Sequence, residues 1–430
     1  MKIEIAELLQ LHADNNIATT ADAGLSAEMK SFYKTKLIRT ATPKLLHRQW
    51  ADHQPLPKGN GKTVEWRRWS SFSKATTPLT EGVTPSSHKL TVAPIYAQVQ
   101  QYGDYTTLSD MVQMTTVDPI LAEHTDKHGE NMGLTLDTIC RNAMVSGLNV
   151  AYAPKLTYTG DVVTNETAVS SRGALDSTAR ITPKLIAKME ALFKKNNVPT
   201  IDGYYICIVH PYVAYDLMRN PEFMEIHKYT DAVQEIFEGE VGKLYKTRFV
   251  ESSEAKVWKG EALDAGSEYL TNSTTAVNAS TGTSTTSVTL SAAITTGSRI
   301  LSASATNPIL LNVAGETFKC VGASGSALTI QQPHAAIAAS AKIYPGDAGS
   351  ANEPVFACLY FGKDAYGDVE IDDDDGIIVK PLGSGGTEDP LNQRGTTGWK
   401  RNYVATIKIP EYLYRIEVCS EMGGSIDEEN

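Results

Sequence analysis

No stretch of this chain approaches the ~18 consecutive apolar residues of a membrane span, so a membrane helix is not expected. The N-terminal MKIEIAELLQLHADNN has neither a long apolar core nor a small-residue cleavage site, and it is not read as a signal peptide. Cysteine is scarce and scattered. Cys140, Cys207, Cys320, Cys358 and Cys419 make an odd set of 5, which argues against a disulfide framework and for a reducing compartment. Positive charge is in deficit as well. A formal net charge of −11 excludes binding of nucleic acid by bulk attraction, though local basic patches remain compatible with it.

Motifs that carry catalysis are also missing. Gly59-Asn60-Gly61-Lys62-Thr63 looks like the end of a phosphate-binding loop, but Leu56 stands where the first glycine is needed. A strand is expected after Thr63, and phosphate needs a helix N-terminus there. His124 and His128 are one helical turn apart, yet no glutamate lies between them and no third ligand is evident, so they read as a packed or solvated helix face. Asp372 to Asp375 run consecutively, whereas calcium loops alternate their acids, so this run reads as a solvated turn. There is no spaced Cys cluster, no glycine-flanked serine elbow and no recognisable Cys/His pair. No catalytic, cofactor or metal site is expected, and the chain is not read as an enzyme.

What is present is an ordinary globular composition, 41% hydrophobic and 21% charged, over 430 residues, enough for two or three domains. The chain is organised around Val117–Gly147. Asp118 is a good N-cap and Pro119 suits the first helical position. Apolar or small residues at 120, 121, 124, 132, 136, 139, 140 and 143 keep mostly to i, i+3, i+4 spacing, which predicts one long helix with one buried face. Gly129 and Gly133 sit inside it, each costing up to about 1 kcal/mol relative to alanine, so a close approach is expected there. Gly147 and Asn149 supply its end.

Before this helix, residues 1–55 read as an arm lying along another surface, with a short helix at Lys2–Leu11. Lys62–Trp69 and Leu90–Val99 read as two strands joined by a polar tip, Ser70–Ser87. Such a projecting hairpin is marginal alone and is expected to lie on a neighbour. Pro94 fits an edge or a bulge. After the helix come short strands in 150–158, a helix capped by Thr182 and opened by Pro183, a buried strand Tyr204–Val209 and a helix from Pro211 through Met218. This is an α+β pattern. From Glu268 to Asn352 the composition turns to Ser, Thr, Ala and Gly. Short strands at Ser287–Leu290, Arg299–Ala303, Ile309–Val313, Thr317–Val321 and Ala327–Gln331 predict a small all-β insertion, a sandwich or a barrel, rather than a disordered linker. Pro354–Tyr360, Tyr403–Ile409 and Tyr412–Val418 resume the main domain, broken at Pro410, and a polar tail follows Gly423.

Three stretches carry a resemblance. The first is Pro78-Leu79-Thr80-Glu81-Gly82-Val83-Thr84-Pro85, with Gln101-Tyr102-Gly103-Asp104-Tyr105 and Ser109-Asp110. The second is the long helix. The third is Asp389-Pro390-Leu391-Asn392-Gln393-Arg394-Gly395-Thr396-Thr397-Gly398-Trp399-Lys400 and the strands after it. Together they resemble the major capsid proteins of tailed bacteriophages, in the branch typified by coliphage N-four, over nearly the whole chain except 268–352. The resemblance implies the Hong Kong 97-type capsid fold. It divides the chain into an N-terminal arm (1–55), an extended loop (56–110), a peripheral domain with a spine helix (111–181), an axial domain (182–267), the β insertion domain (268–352), and a return through axial and peripheral domains (353–430). It also implies a shell of hexamers and pentamers assembled in the host bacterial cytoplasm. The expected partners are further copies of the chain and scaffolding, portal and decoration proteins. The virion capsid then encloses double-stranded DNA without sequence-specific binding and without a membrane. A negative subunit suits a wall that packaged DNA should not grip. Two other readings stay open: an encapsulin-like bacterial nanocompartment shell of the same fold, and a cell-surface β-domain adhesin, which would need an export signal. In the first hairpin strand Trp66 and Arg68 share one face, and Arg67 and Trp69 share the other. Each face pairs a large apolar group with a guanidinium, so these four residues are the candidates for contact between subunits.

Overall fold

A computed structural model describes residues 45–426, apart from 60, 71, 73, 85–86, 116–119, 160–161, 229–241, 260–268, 273–284, 297, 307, 314–315, 332–336, 347, 372–375 and 385–388. The expected Lys2–Leu11 helix, the Asp118–Pro119 cap and the Asp372–Asp375 turn lie outside the described residues.

The long helix runs Ile120–Val145, 26 residues. It joins two sheets. Its first half lies on a five-stranded sheet in the order Asp52–Leu56, Tyr366–Ile371, Arg394–Ile407, Ile377–Lys380, with Gln100–Ser109 also paired to Arg394–Ile407. There Trp399 Nε1 donates to Asn131 Oδ1 at 2.8 Å, and Thr106 Oγ1 lies 3.1 Å from His124 Nδ1 and 2.9 Å from His128 Nε2. The two histidines therefore belong to a packed helix face. The close approach at the glycines is real at Gly133, where Leu45 Cδ1 lies 2.7 Å from where a Cβ would be. Further along, Cys140 and Met144 enter a core with Ile206, Ile208, Leu359, Phe361, Tyr366 and Leu413.

That second core lies against a seven-stranded sheet ordered Val150–Tyr152, Leu413–Val418, Val355–Phe361, Tyr205–Val209, Thr247–Glu251, Lys243–Leu244, with Val257–Trp258 also paired to Val355–Phe361. The opposite face packs on the helices Pro183–Lys195 and Pro211–Arg219 through Tyr205, Cys207, Val209, Cys358 and Tyr360. Both faces are covered, so every residue of Tyr205–Val209 and Val355–Phe361 is buried and the strands read as unbroken apolar runs. The Pro183 helix starts as its sequence dictates: Thr182 Oγ1 accepts the Leu185 N–H at 3.2 Å and proline takes the first turn. It ends at Asn196, and Asn197 adopts φ 52° just beyond.

The Ser/Thr-rich region folds as six antiparallel strands ordered Tyr269–Leu270, Lys342–Pro345, Ile309–Val313, Glu316–Ser324, Ala327–Gln331, Thr285–Thr289. The first and last strands then meet. Thr271 bridges Leu290, Asn272 N–H donates to Thr289 O and Ser291 N–H donates to Leu270 O, both at 2.8 Å. The sheet is thus closed into a small barrel, filled by Val288, Ile309, Leu311, Phe318, Cys320, Leu328, Ile330 and their neighbours. One expected strand fails: Arg299–Ser302 is a 3-10 turn that buries Ile300 in the barrel core without joining a ladder. The barrel core is separate from the two main cores. Its entry and exit strands are neighbours, with Tyr269 opposite Ile343. Replacing residues 269–345 with a short Gly/Ser linker is therefore expected to leave the rest folded. Circular dichroism should keep its helical signal, and a wholly unfolded product would contradict the separation.

The long strand Arg394–Ile407 absorbs both the Arg394–Lys400 part of the third motif and most of the expected Tyr403–Ile409 strand. A 3-10 turn at Pro410–Tyr412 leads to Leu413–Val418. The motif's glycine at 398 has a steric cause: a Cβ there would stand 2.7 Å from Asp104 O and 2.6 Å from Tyr105 Cβ on the paired strand.

Candidate functional site: an assembly surface

The hairpin pairs Thr63–Trp69 with Val92–Gln98, Arg67 opposite Pro94 and Trp69 opposite Val92. Its two faces differ. Val64, Trp66 and Arg68 turn toward the subunit's own five-stranded sheet. Val64 is buried with Leu56, Val99 and Val369, and Trp66 packs on that cluster. Trp66 Nε1 donates to Gln54 Oε1 at 2.6 Å, and the Lys408 ammonium sits 5.1 Å from its ring centre. Arg68 Nη1 donates to Glu411 Oε2 at 2.9 Å. The base of the hairpin thus rests on its own chain, because Val64 and Trp66 are drawn to the apolar sheet edge. The other face carries Glu65, Arg67, Trp69 and, across the ladder, Tyr96. Among the described residues Arg67 bonds only along the strand, Nε to Glu65 Oε1 at 3.1 Å. Trp69 is 58% exposed and Tyr96 62%. The tip adds Phe72, Leu79, Val83 and Leu90, all exposed. Of the four sequence candidates, the structure puts Arg67 and Trp69 on the open face and ties Trp66 and Arg68 to the subunit. The composition reading missed Tyr96 and the apolar tip residues. Their signal was large apolar side chains with no period in a polar stretch.

The segment before the first strand is fixed by charge. The His47 ring, fully buried, places Nδ1 2.7 Å from Asp137 Oδ2, and Tyr366 Oη donates to His47 O at 2.6 Å. Arg48 donates to Asp368 Oδ2 at 2.9 Å and also to Glu370, and Lys408 pairs with Asp52. Burial pushes the Tyr403 hydroxyl far up, so it stays neutral beside Asp368. A second ionic cluster lies in the seven-stranded sheet. Glu417, with no exposed side-chain area, accepts from Arg172 Nε at 2.8 Å, from Arg172 Nη2 at 2.6 Å and from Arg415 Nε at 2.8 Å. The Arg172 guanidinium stacks 3.7 Å from the Trp258 ring centre. No local spacing could have revealed this cluster, since Arg172 and Glu417 stand 245 residues apart.

His210 precedes Pro211, and its Nδ1 accepts the Tyr212 N–H at 3.2 Å, capping that helix. Burial against Phe356 and Tyr212 lowers its pKa from 6.5 to about 4. The unfolded chain takes up this proton below about 6.5 and the folded chain only below about 4. Stability from this residue is therefore full above pH 6.5 and is lost as pH falls to 4. The loss is about 3 kcal/mol. His210→Asn keeps a capping acceptor without titrating. Urea unfolding at pH 7 and pH 4.5 is expected to show a smaller acid loss for this variant than for the parent. An equal loss would remove His210 as the cause.

The described residues hold no group of three or more His, Cys, Asp or Glu placed for a metal, and no described helix is long and apolar enough to cross a membrane. All five cysteines are free and buried. Residues 92–258 match the family described as phage capsid protein. The capsid structure of cyanophage P-SCSP1u superposes with a TM-score of 0.54 at 11% identity, covering 91% of this chain and 93% of that one. The capsid asymmetric unit of cyanophage Pam1 gives 0.53 at 10% identity, covering 93% and 99%. The fold is that of a phage capsid protein. It is the mixed α+β, Hong Kong 97-type architecture. No curated protein sequence matches the chain.

Proposed function

We propose that this chain is the major capsid protein of a tailed double-stranded DNA bacteriophage, and that its copies close into the icosahedral head enclosing the genome. The observation that carries this reading is the capsid fold running over nine-tenths of the chain, together with the family match across residues 92–258. The finer reading places it in the coliphage N-four-like branch, on the motifs at 78–85 and 389–400. It divides the chain into arm, extended loop, peripheral, axial and β insertion domains at the bounds given above. Copies gather as hexamers and pentamers in the bacterial cytoplasm, with scaffolding and portal proteins as partners and without enzymatic activity. Arg67 and Trp69 on the open hairpin face lie at the contact between copies, with Trp66 and Arg68 holding the hairpin to its own subunit. Arginine forks suit carboxylates of a neighbour, and each copy carries a net charge of −11. Negative-stain microscopy of the purified protein tests the reading: capsomers or closed shells are expected. A monomer at high concentration by light scattering would overturn it.

A further inference from the structure

The seven-stranded sheet ends at the short strand Val150–Tyr152, whose one sheet neighbour is Leu413–Val418. In this parallel pair the Arg415 N–H donates to Asn149 O and the Ala153 N–H donates to Glu417 O, each at 3.0 Å. Backbone groups of alternate residues point to opposite sides of a strand. Residues 149, 151 and 153 thus face the partner strand, and Val150 and Tyr152 turn their N–H and C=O groups outward. Among the described residues those four groups have no hydrogen-bond partner.

They stand beside a groove of about 650 Å3 between the edge strand, the Pro183–Lys195 helix and residues 166–169. Leu185, Met189 and Leu192 give it an apolar wall, and Lys184 and Lys188 stand on the helix side. Lys184 pairs with Glu166 at 2.8 Å. Lys188 has no ion-pair partner among the described residues, so the groove keeps a surplus positive charge on a chain of net charge −11. A short edge with Pro154 beside it is also how proteins limit indiscriminate strand pairing. Here those devices leave two open backbone positions next to an apolar wall, which restricts pairing to a short segment without preventing it.

We propose that this groove takes an extended acidic segment of a partner protein. The segment adds as a strand to the Val150–Tyr152 edge, sets alternate apolar side chains on Leu185, Met189 and Leu192, and places a carboxylate at Lys188. Main-chain pairing supplies the attachment, and the apolar wall with the ammonium supplies the selectivity.

The test uses the full-length unassembled chain and a fluorescein-labelled hexapeptide alternating valine and aspartate, followed by fluorescence anisotropy. Saturable binding is expected. It should weaken at least about tenfold when alternate peptide amides are N-methylated, and by a similar factor when lysine replaces aspartate. Lys184→Glu with Lys188→Glu should also weaken it about tenfold. Both lysines are exposed, so circular dichroism of the double variant should match the parent. No saturation up to about 1 mM would overturn the proposal. Equal affinity of the N-methylated peptide would remove strand addition, and unchanged binding by the double variant would remove the charge selectivity. Displacement by the peptide of self-association between copies would make the occupant a second copy and overturn the partner assignment.

Discussion

Arg67→Ala combined with Trp69→Ala is expected to abolish shell formation while leaving the subunit folded. Both side chains stand on the open face of the hairpin, and neither is buried. Arg67 has one exposed carboxylate contact, with Glu65 on its own strand. An exposed pair of this kind contributes about 0–1 kcal/mol, so subunit stability should change little. A tryptophan and an arginine seated in a neighbour are a different matter, since each such anchor can cost 2 kcal/mol or more when truncated. The loss repeats at every contact of a closed shell. The opposite face supplies the internal control. Trp66→Ala removes packing on Leu56, Val64 and Val99 and the bond to Gln54, so it should loosen the hairpin's base within the subunit. Electron microscopy and circular dichroism on both variants separate the cases. Wild-type shells from the Arg67/Trp69 variant would take these residues out of the contact. Unfolding of that variant would assign them to the subunit interior. Assembly of the parent should also weaken as salt rises, since exposed charges are screened beyond about 10 Å at 0.1 M.

Glu417→Ala is expected to destabilise the subunit by about 3–5 kcal/mol, the usual cost of leaving buried charges without a partner. Here two guanidiniums lose their shared carboxylate. Arg415 is 12% exposed in its side chain and Arg172 24%, so water can hydrate them only in part. Glu417 also sits in the strand between Val355–Phe361 and the Val150–Tyr152 edge, so relaxation there strains two ladders. Trp258, stacked by Arg172, reports the event through its fluorescence. The urea midpoint of that signal should fall sharply. Adding Arg172→Met to Glu417→Ala should recover part of the loss, because Arg172 has no other ion-pair partner among the described residues, whereas Arg415 keeps its bonds to Val145 O and Gly147 O. A midpoint unchanged by Glu417→Ala would mean that the carboxylate contributes nothing net.

The elements legible in the sequence were those whose cause is local. Thr182 and Pro183 set a helix start, the run Tyr204–Val209 set a strand covered on both faces, and the i, i+4 row through 136 and 140 set the long helix. What escaped depends on distant partners. Arg299–Ala303 looked like a strand because it is apolar at Ile300 and Leu301, yet Ile300 enters the barrel core from a 3-10 turn. Trp66 looked equivalent to Trp69 by pattern. Only the sheet edge carrying Leu56 and Val369 makes one a packed residue and leaves the other open. Closure of the barrel by Thr271 and Leu290 likewise joins residues that no short-range signal connects.

That closure has a bearing on crowding. In an ordered array of many copies, identical surfaces meet at very high local concentration, and any open ladder becomes a template for its twin. A barrel with no free first or last strand cannot zip to the barrel beside it. Its sequence is then released from guarding its edges, which fits a region so rich in Ser, Thr, Ala and Gly and so poor in charge. The tight turn at Ser324–Ala327, with Gly325 at φ 59°, is the natural place to graft a foreign loop. A peptide carried there would be displayed once per subunit without disturbing the joints of the main fold.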